Sequence, residues 1–133
     1  MKTKASQLGP QLLLLAEDDE AMRSLLFDEF FDMGFRIIEA TSGDQALQYV
    51  LANKPDVILT DLRMPQGGIE YVSRLRSSAP DVPIVVMTAY GDSRTKPAAF
   101  ALGVAAYFDK PVRISDLKLK VEELLSDSRR MMH

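Results

Sequence analysis

Five polar residues stand where short apolar runs end. Glu17 and Asp18 follow Leu12–Leu15, Asp61 follows Val57–Leu59, Thr88 follows Ile84–Met87, and Lys110 follows Ala105–Phe108. Each has a plain reading alone: Glu17 to Glu20 as an acidic first helical turn, Asp61 as a loop cap. Together they describe a chemistry. Three carboxylates brought close repel one another, and one must take up a proton unless a cation sits among them. With no cysteine and a single histidine at the last position, oxygen ligands remain, which suits magnesium or manganese rather than zinc. Asp61, with an ordinary pKa of about 3.9, is ionised at neutral pH and can attack phosphorus without a general base. Lys110 and a divalent metal supply positive charge to a transferring phosphoryl group, and Thr88 a hydroxyl donor.

The elements that would hold these residues follow from the pattern between them. The four strongest apolar runs are Leu12–Leu15, Phe35–Ile38, Val57–Leu59 and Ile84–Met87, with Ala105–Phe108 a weaker fifth. Such near-continuous apolar runs mark strands buried on both faces. Helical spacing fills the gaps. The first helix carries Met22, Leu25, Leu26 and Phe30 inward and stops at Gly34. The second starts at Ser42, buries Ala46, Leu47, Val50 and Leu51, and ends before Pro55. The third holds Ile69, Val72 and Leu75, stopping near Ser77-Ser78. The fifth is capped by Ser115 and carries Leu117, Val121, Leu124 and Leu125. In the fourth, Pro97 would fall in the second turn of a helix begun at Asp92, so the helix must start late or bend, with Ala98–Leu102 its secure part.

Strands alternating with helices predict a three-layer α/β/α sandwich on a parallel sheet, with right-handed crossovers. In such sheets ligands bind beyond the carboxyl ends of the strands, where all five polar residues fall. One domain is expected over 11–127, after a loose leader at 1–10 and before a tail at 128–133. No internal repeat or linker divides it.

Composition narrows the classes. Of the 133 residues, 47% are hydrophobic and 26% charged, close to globular averages, so neither disorder nor a membrane span is expected. Absence of cysteine removes disulfides, thiolate metal sites and thiol nucleophiles, and fits a cytoplasmic location. Lys2 and Lys4 precede an apolar run too short for a signal peptide. A net charge of -3 offers no field for nucleic-acid phosphates, and Lys118, Lys120, Arg129 and Arg130 interleave with Glu122, Glu123 and Asp127 as a solvated helix face.

From about Gln11 to Ser126 the sequence resembles the receiver domain of two-component response regulators. The resemblance rests on LLLLAEDDEAMR, DVILTDLRMP, IVVMTAYGD and AAYFDKP, in that order. It implies a flavodoxin-like sheet in the order 2-1-3-4-5, with Asp61 the phosphoacceptor. It implies a Mg2+ site (Mn2+ possible) of Asp18, Glu17 through water, Asp61 and the backbone carbonyl of Arg63. Lys110 and Thr88 would serve the phosphoryl group, Thr88 and Tyr107 would form a switch pair, and Asp19 would cap the helix. A cis Lys110–Pro111 bond is also implied. The donor would be a histidine kinase or histidine phosphotransfer protein and the recipient an unknown downstream protein, with no direct nucleic-acid or membrane contact and no enzyme turnover.

The sequence departs from the family in three places. Gln66-Gly67-Gly68-Ile69 is one residue shorter than the usual loop and lacks its methionine–aspartate. Pro97 interrupts the fourth helix, part of the surface receivers use for partners. Glu17 replaces the commoner aspartate. Rival readings are a receiver-fold interaction module that is not phosphorylated, and an aspartate-nucleophile phosphohydrolase, which would want a second aspartate where Arg63 stands. A Toprim-like nucleic-acid enzyme would want an aspartate pair on a second strand and a basic surface, and the sequence has neither.

Overall fold

The structure, a computed structural model, describes residues 9–89 and 93–131, without the side chains of 128–131. Most of the leader read at 1–10 lies outside those residues, as do Tyr90, Gly91 and Asp92.

The strands are β1 (Leu12–Ala16), β2 (Arg36–Ala40), β3 (Val57–Thr60), β4 (Ile84–Thr88) and β5 (Ala106–Asp109). The helices between and after them are α1 (Glu20–Asp32), α2 (Gly43–Asn53), α3 (Ile69–Ser78), α4 (Thr95–Ala101) and α5 (Ile114–Met131). The sheet is parallel throughout, in the order β2-β1-β3-β4-β5, as expected. Every residue of β1, β3 and β4 is buried, which explains their uninterrupted apolar runs.

Alternate side chains of each central strand enter different layers. Leu14, Ile58, Ile84 and Val86 pack with α2, α3 and α4; Leu13, Leu15, Val57, Leu59, Val85 and Met87 pack with α1 and α5. Each such leucine, isoleucine or valine contributes roughly 1.5–3 kcal/mol by leaving water, and the two layers hold the strand ends in fixed register.

Several local expectations hold. Ser42 caps α2 by accepting a hydrogen bond from Gln45 N, Asp19 caps α1 by accepting from Met22 N, and Gly34 follows α1 at φ 98°. Helix α4 starts late, at Thr95, so Pro97 lies in the first turn, where its missing amide has no intrahelical acceptor to lose.

Others are corrected. Leu25 is 47% exposed and Leu51 66%, because α1 turns Leu26 and Phe30 inward and α2 turns Ala46 and Val50 inward; the neighbouring leucines fall outside those stripes. Ser115 does not cap α5, which already begins at Ile114. The same helix continues to Met131, through much of the stretch read as a tail.

The short β3–α3 loop docks on α2. Gly43 N donates to Pro65 O at 2.8 Å, giving a helix-terminal amide its partner, and a Cβ on Gly43 would lie 1.9 Å from Gln66 O. Gln66 itself adopts φ 55°. Only glycine permits this approach. Among the described residues, no helix is long and apolar enough to cross a membrane.

Candidate functional site

Register brings the acidic residues together. Ala16, the last residue of β1, pairs with Ala40 on one side and Thr60 on the other. Glu17 N donates to Ala40 O and Asp61 N to Ala16 O, both at 2.9 Å, so the two residues leave adjacent strands at one level. Lys110 arrives from the far side of the sheet, where its amide donates to Thr88 O at 3.0 Å, immediately after β5. Its bond to Pro111 is cis, as the resemblance implied.

Lys110 Nζ donates to Glu17 Oε1 at 2.6 Å and to Asp61 Oδ2 at 3.0 Å. The second oxygen of each acid accepts a backbone amide: Asp19 N at Glu17 Oε2 and Arg63 N at Asp61 Oδ1, each 3.0 Å. Glu17 and Asp61 are both buried. Asp18 is exposed and makes no hydrogen bond or ion pair with the described residues.

Ligand atoms of Glu17, Asp18 and Asp61 lie within 4.8 Å of one another. Three carboxylates against one ammonium leave a surplus of two negative charges, which a divalent cation neutralises. The donors are all oxygen, and each carboxylate keeps lone pairs beyond those already engaged, so the set fits a hard divalent ion.

Burial raises the Glu17 carboxyl above its usual range, against the opposing hydrogen bond from Lys110, and the neighbouring Asp61 charge adds to the rise. Burial would lower Lys110, but its hydrogen bonds to Glu17 and Asp61 outweigh that and raise it. The ammonium is therefore the cation that holds the pocket together.

Thr88 ends β4, fully buried, and Tyr107 lies half-buried on β5. The Tyr107 ring is 6.4 Å from that of exposed Phe100, and Lys96 Nζ is 5.8 Å from its centre. The Arg63 amide, rather than its side chain, touches the acidic group.

Two contacts were not foreseen. Arg23 Nη1 donates to Glu17 O at 3.0 Å while its Nε pairs with Glu39 Oε1 at 3.3 Å, bracing the acidic turn from α1. Thr60 and Tyr71 form a buried hydroxyl pair behind Asp61. Arg23 sits in the acidic strand-end motif, so its position was a signal; Tyr71 reads simply as a core aromatic.

A parallel sheet in this order with an acidic cluster at its carboxyl edge defines a receiver-type α/β domain. The chain belongs to the response regulator receiver domain family, whose family model matches residues 13–122. It is thus a receiver domain of the two-component kind. Sporulation initiation phosphotransferase F of Bacillus subtilis is 31% identical over 114 residues, covering 85% of this chain and 92% of that protein. Other curated relatives are longer, the chain spanning 51% of one, 25% of another and 62% of a third.

Among solved structures, a CheY-like receiver domain protein of Methanospirillum hungatei superposes with a TM-score of 0.89 at 21% identity, over 92% of this chain and 99% of that one. A response regulator of Burkholderia pseudomallei, solved with a phosphorylated aspartic acid, a calcium ion and citrate, gives 0.78 at 24%, over 92% and 72%. These structural likenesses establish the fold.

Proposed function

We propose that Asp61 is the phosphoacceptor of this receiver, that Mg2+ is its metal (Mn2+ a substitute), and that a cytoplasmic histidine kinase or histidine phosphotransfer protein is the donor. The observation that carries this reading is the double hydrogen bond from Lys110 Nζ to Glu17 and Asp61. It sets the Asp61 carboxylate beside a fixed cation at the open edge of the sheet. An Asp61 oxygen forms the new bond to phosphorus, the phosphorus–nitrogen bond of the donor breaks, and the departing imidazole takes up a proton. Glu17, Asp18, Asp61 and the Arg63 carbonyl would hold the metal, which when bound offsets charge on the phosphoryl oxygens. Lys110 would stay with the phosphoryl group. Thr88 and Tyr107 would form the switch, with the Thr88 hydroxyl drawn to the phosphoryl group and the ring changing its packing on α4. The new charge biases a partner-binding face toward an unknown downstream protein. No turnover of a further substrate is proposed.

The test is incubation with a small phosphodonor and Mg2+, followed by intact mass. One phosphoryl adduct is expected, lost in Asp61→Asn and on chelation. Equal labelling of the Asp61→Asn protein would overturn the assignment. Absence of label in the intact protein would favour the unphosphorylated interaction module.

A further inference from the structure

Behind the acidic pocket lie two hydroxyls that the chemistry above does not use. Thr60 ends β3 with its side chain in the layer of α2 and α3 and is fully buried; Tyr71, in the first turn of α3, is 2% exposed. Thr60 Oγ1 lies 2.8 Å from the Asp61 carbonyl oxygen and 2.9 Å from Tyr71 Oη.

The proton directions follow from donor inventory. A carbonyl oxygen only accepts, so the single Thr60 proton goes to Asp61 O, and the remaining contact requires Tyr71 to donate to Thr60. The result is a one-way chain from Tyr71 through Thr60 to the Asp61 carbonyl. Burial raises the Tyr71 hydroxyl, which keeps its proton in place.

The chain ends at a peptide that the sheet does not hold. The β1–β3 pairing closes with Ala16 opposite Thr60, and Asp61 N makes the last bond of that edge. The Asp61 carbonyl starts the connecting loop, and its direction fixes the Asp61–Leu62 peptide plane. That plane governs where Arg63 N meets Asp61 Oδ1, and so how the carboxylate is aimed. The Tyr71 ring also backs the loop's docking site: a Cβ on Gly43 would lie 3.1 Å from Tyr71 Cδ1.

We infer that Tyr71, acting through Thr60, is a positioning residue that holds the Asp61–Leu62 peptide in the orientation phosphoryl transfer requires. This rests on the reading of Asp61 as phosphoacceptor. A buried tyrosine that merely packs would support α3 without setting the rate at Asp61.

The test compares Tyr71→Phe, Thr60→Val, Thr60→Ser and the Tyr71→Phe/Thr60→Val double variant. Maximal rate of labelling by phosphoramidate at saturating Mg2+ is measured beside the urea midpoint. Loss of one hydrogen bond's net contribution is expected to slow Tyr71→Phe labelling by about threefold to tenfold. The half-saturating phosphoramidate concentration stays unchanged. Thr60→Val is slowed at least as much, the double variant no further than Thr60→Val, and Thr60→Ser keeps the wild-type rate because it keeps the hydroxyl. Wild-type labelling rates in a folded Tyr71→Phe protein, or slowing in the double variant equal to the product of the two singles, would overturn the inference alone. Absence of label in the wild type, or label retained in Asp61→Asn, would overturn the phosphoacceptor reading beneath it.

Discussion

Lys110 Nζ and Asp61 Oδ2 stand 3.0 Å apart although 49 residues separate them in the chain. The contact spans the sheet from the loop after β3 to the end of β5, with β4 between. The same nitrogen reaches Glu17 at 2.6 Å, so one ammonium ties together the ends of three strands.

Lys110→Met removes that tie and leaves two buried acids facing each other. Breaking a buried pair from one side is costly, and with Lys110 partly solvated the loss expected here is about 1–3 kcal/mol. Urea unfolding without metal should show it, and added Mg2+ should recover part of it. A variant as stable as the parent in metal-free buffer would contradict this.

Asp18→Asn should act in the opposite sense. Asp18 is exposed and makes no ion pair with the described residues, so without metal it adds only repulsion. The variant is expected to melt slightly higher in chelator and to bind Mg2+ about tenfold or more weakly, by analogy with other losses at metal sites. Melting curves with and without Mg2+ check both at once, since the metal-induced rise should shrink.

Tyr71 predicts an alkaline limit to stability. Its folded pKa lies above the ordinary tyrosine value of about 10. The folded state therefore keeps a proton that the unfolded chain releases. The corresponding stability is complete below that ordinary value and declines as pH rises toward the folded pKa, at about 1.4 kcal/mol per pH unit. The stability difference between wild type and Tyr71→Phe, measured by urea unfolding from pH 9 upward, should follow this slope. A difference independent of pH would show that Tyr71 ionises freely.

Gly43→Ala puts a Cβ into the Gln66 carbonyl. Loop and helix must separate, at a cost of about 1–3 kcal/mol typical of overpacking. Because the same loop carries Arg63, Mg2+ affinity should fall with it. Calorimetric titration of the variant with Mg2+ tests the link, and unchanged affinity would show the loop to be independent of the pocket.

Much of this was legible in the sequence for a physical reason. Strands buried on both faces must be apolar at every position, so Leu12–Leu15 and Ile84–Met87 announce themselves, and the first polar residue after each is placed by topology at the sheet's carboxyl edge. Glu17, Asp18, Asp61 and Lys110 could be assembled from that rule, and the receiver motifs added the sheet order. Helical faces were harder. Adjacent leucines such as Leu25 and Leu26 differ by one step around the helix, and which one meets the core depends on how α1 lies across the sheet. Tyr71 was invisible as a polar residue, because its ring explains its burial and nothing local reveals that Thr60 waits beneath its hydroxyl.

The path of the chain through the sheet also orders events in time. Glu17 leaves the ribosome early and Lys110 late, and the pocket lacks its ammonium until β5 has joined the edge beside β4. A nascent or partly unfolded chain would carry the aspartate without the cation that steadies it. Readiness for the phosphoryl transfer proposed at Asp61 is thereby tied to completion of this fold, and a chain stalled before β5 and α5 should not be labelled by a phosphodonor.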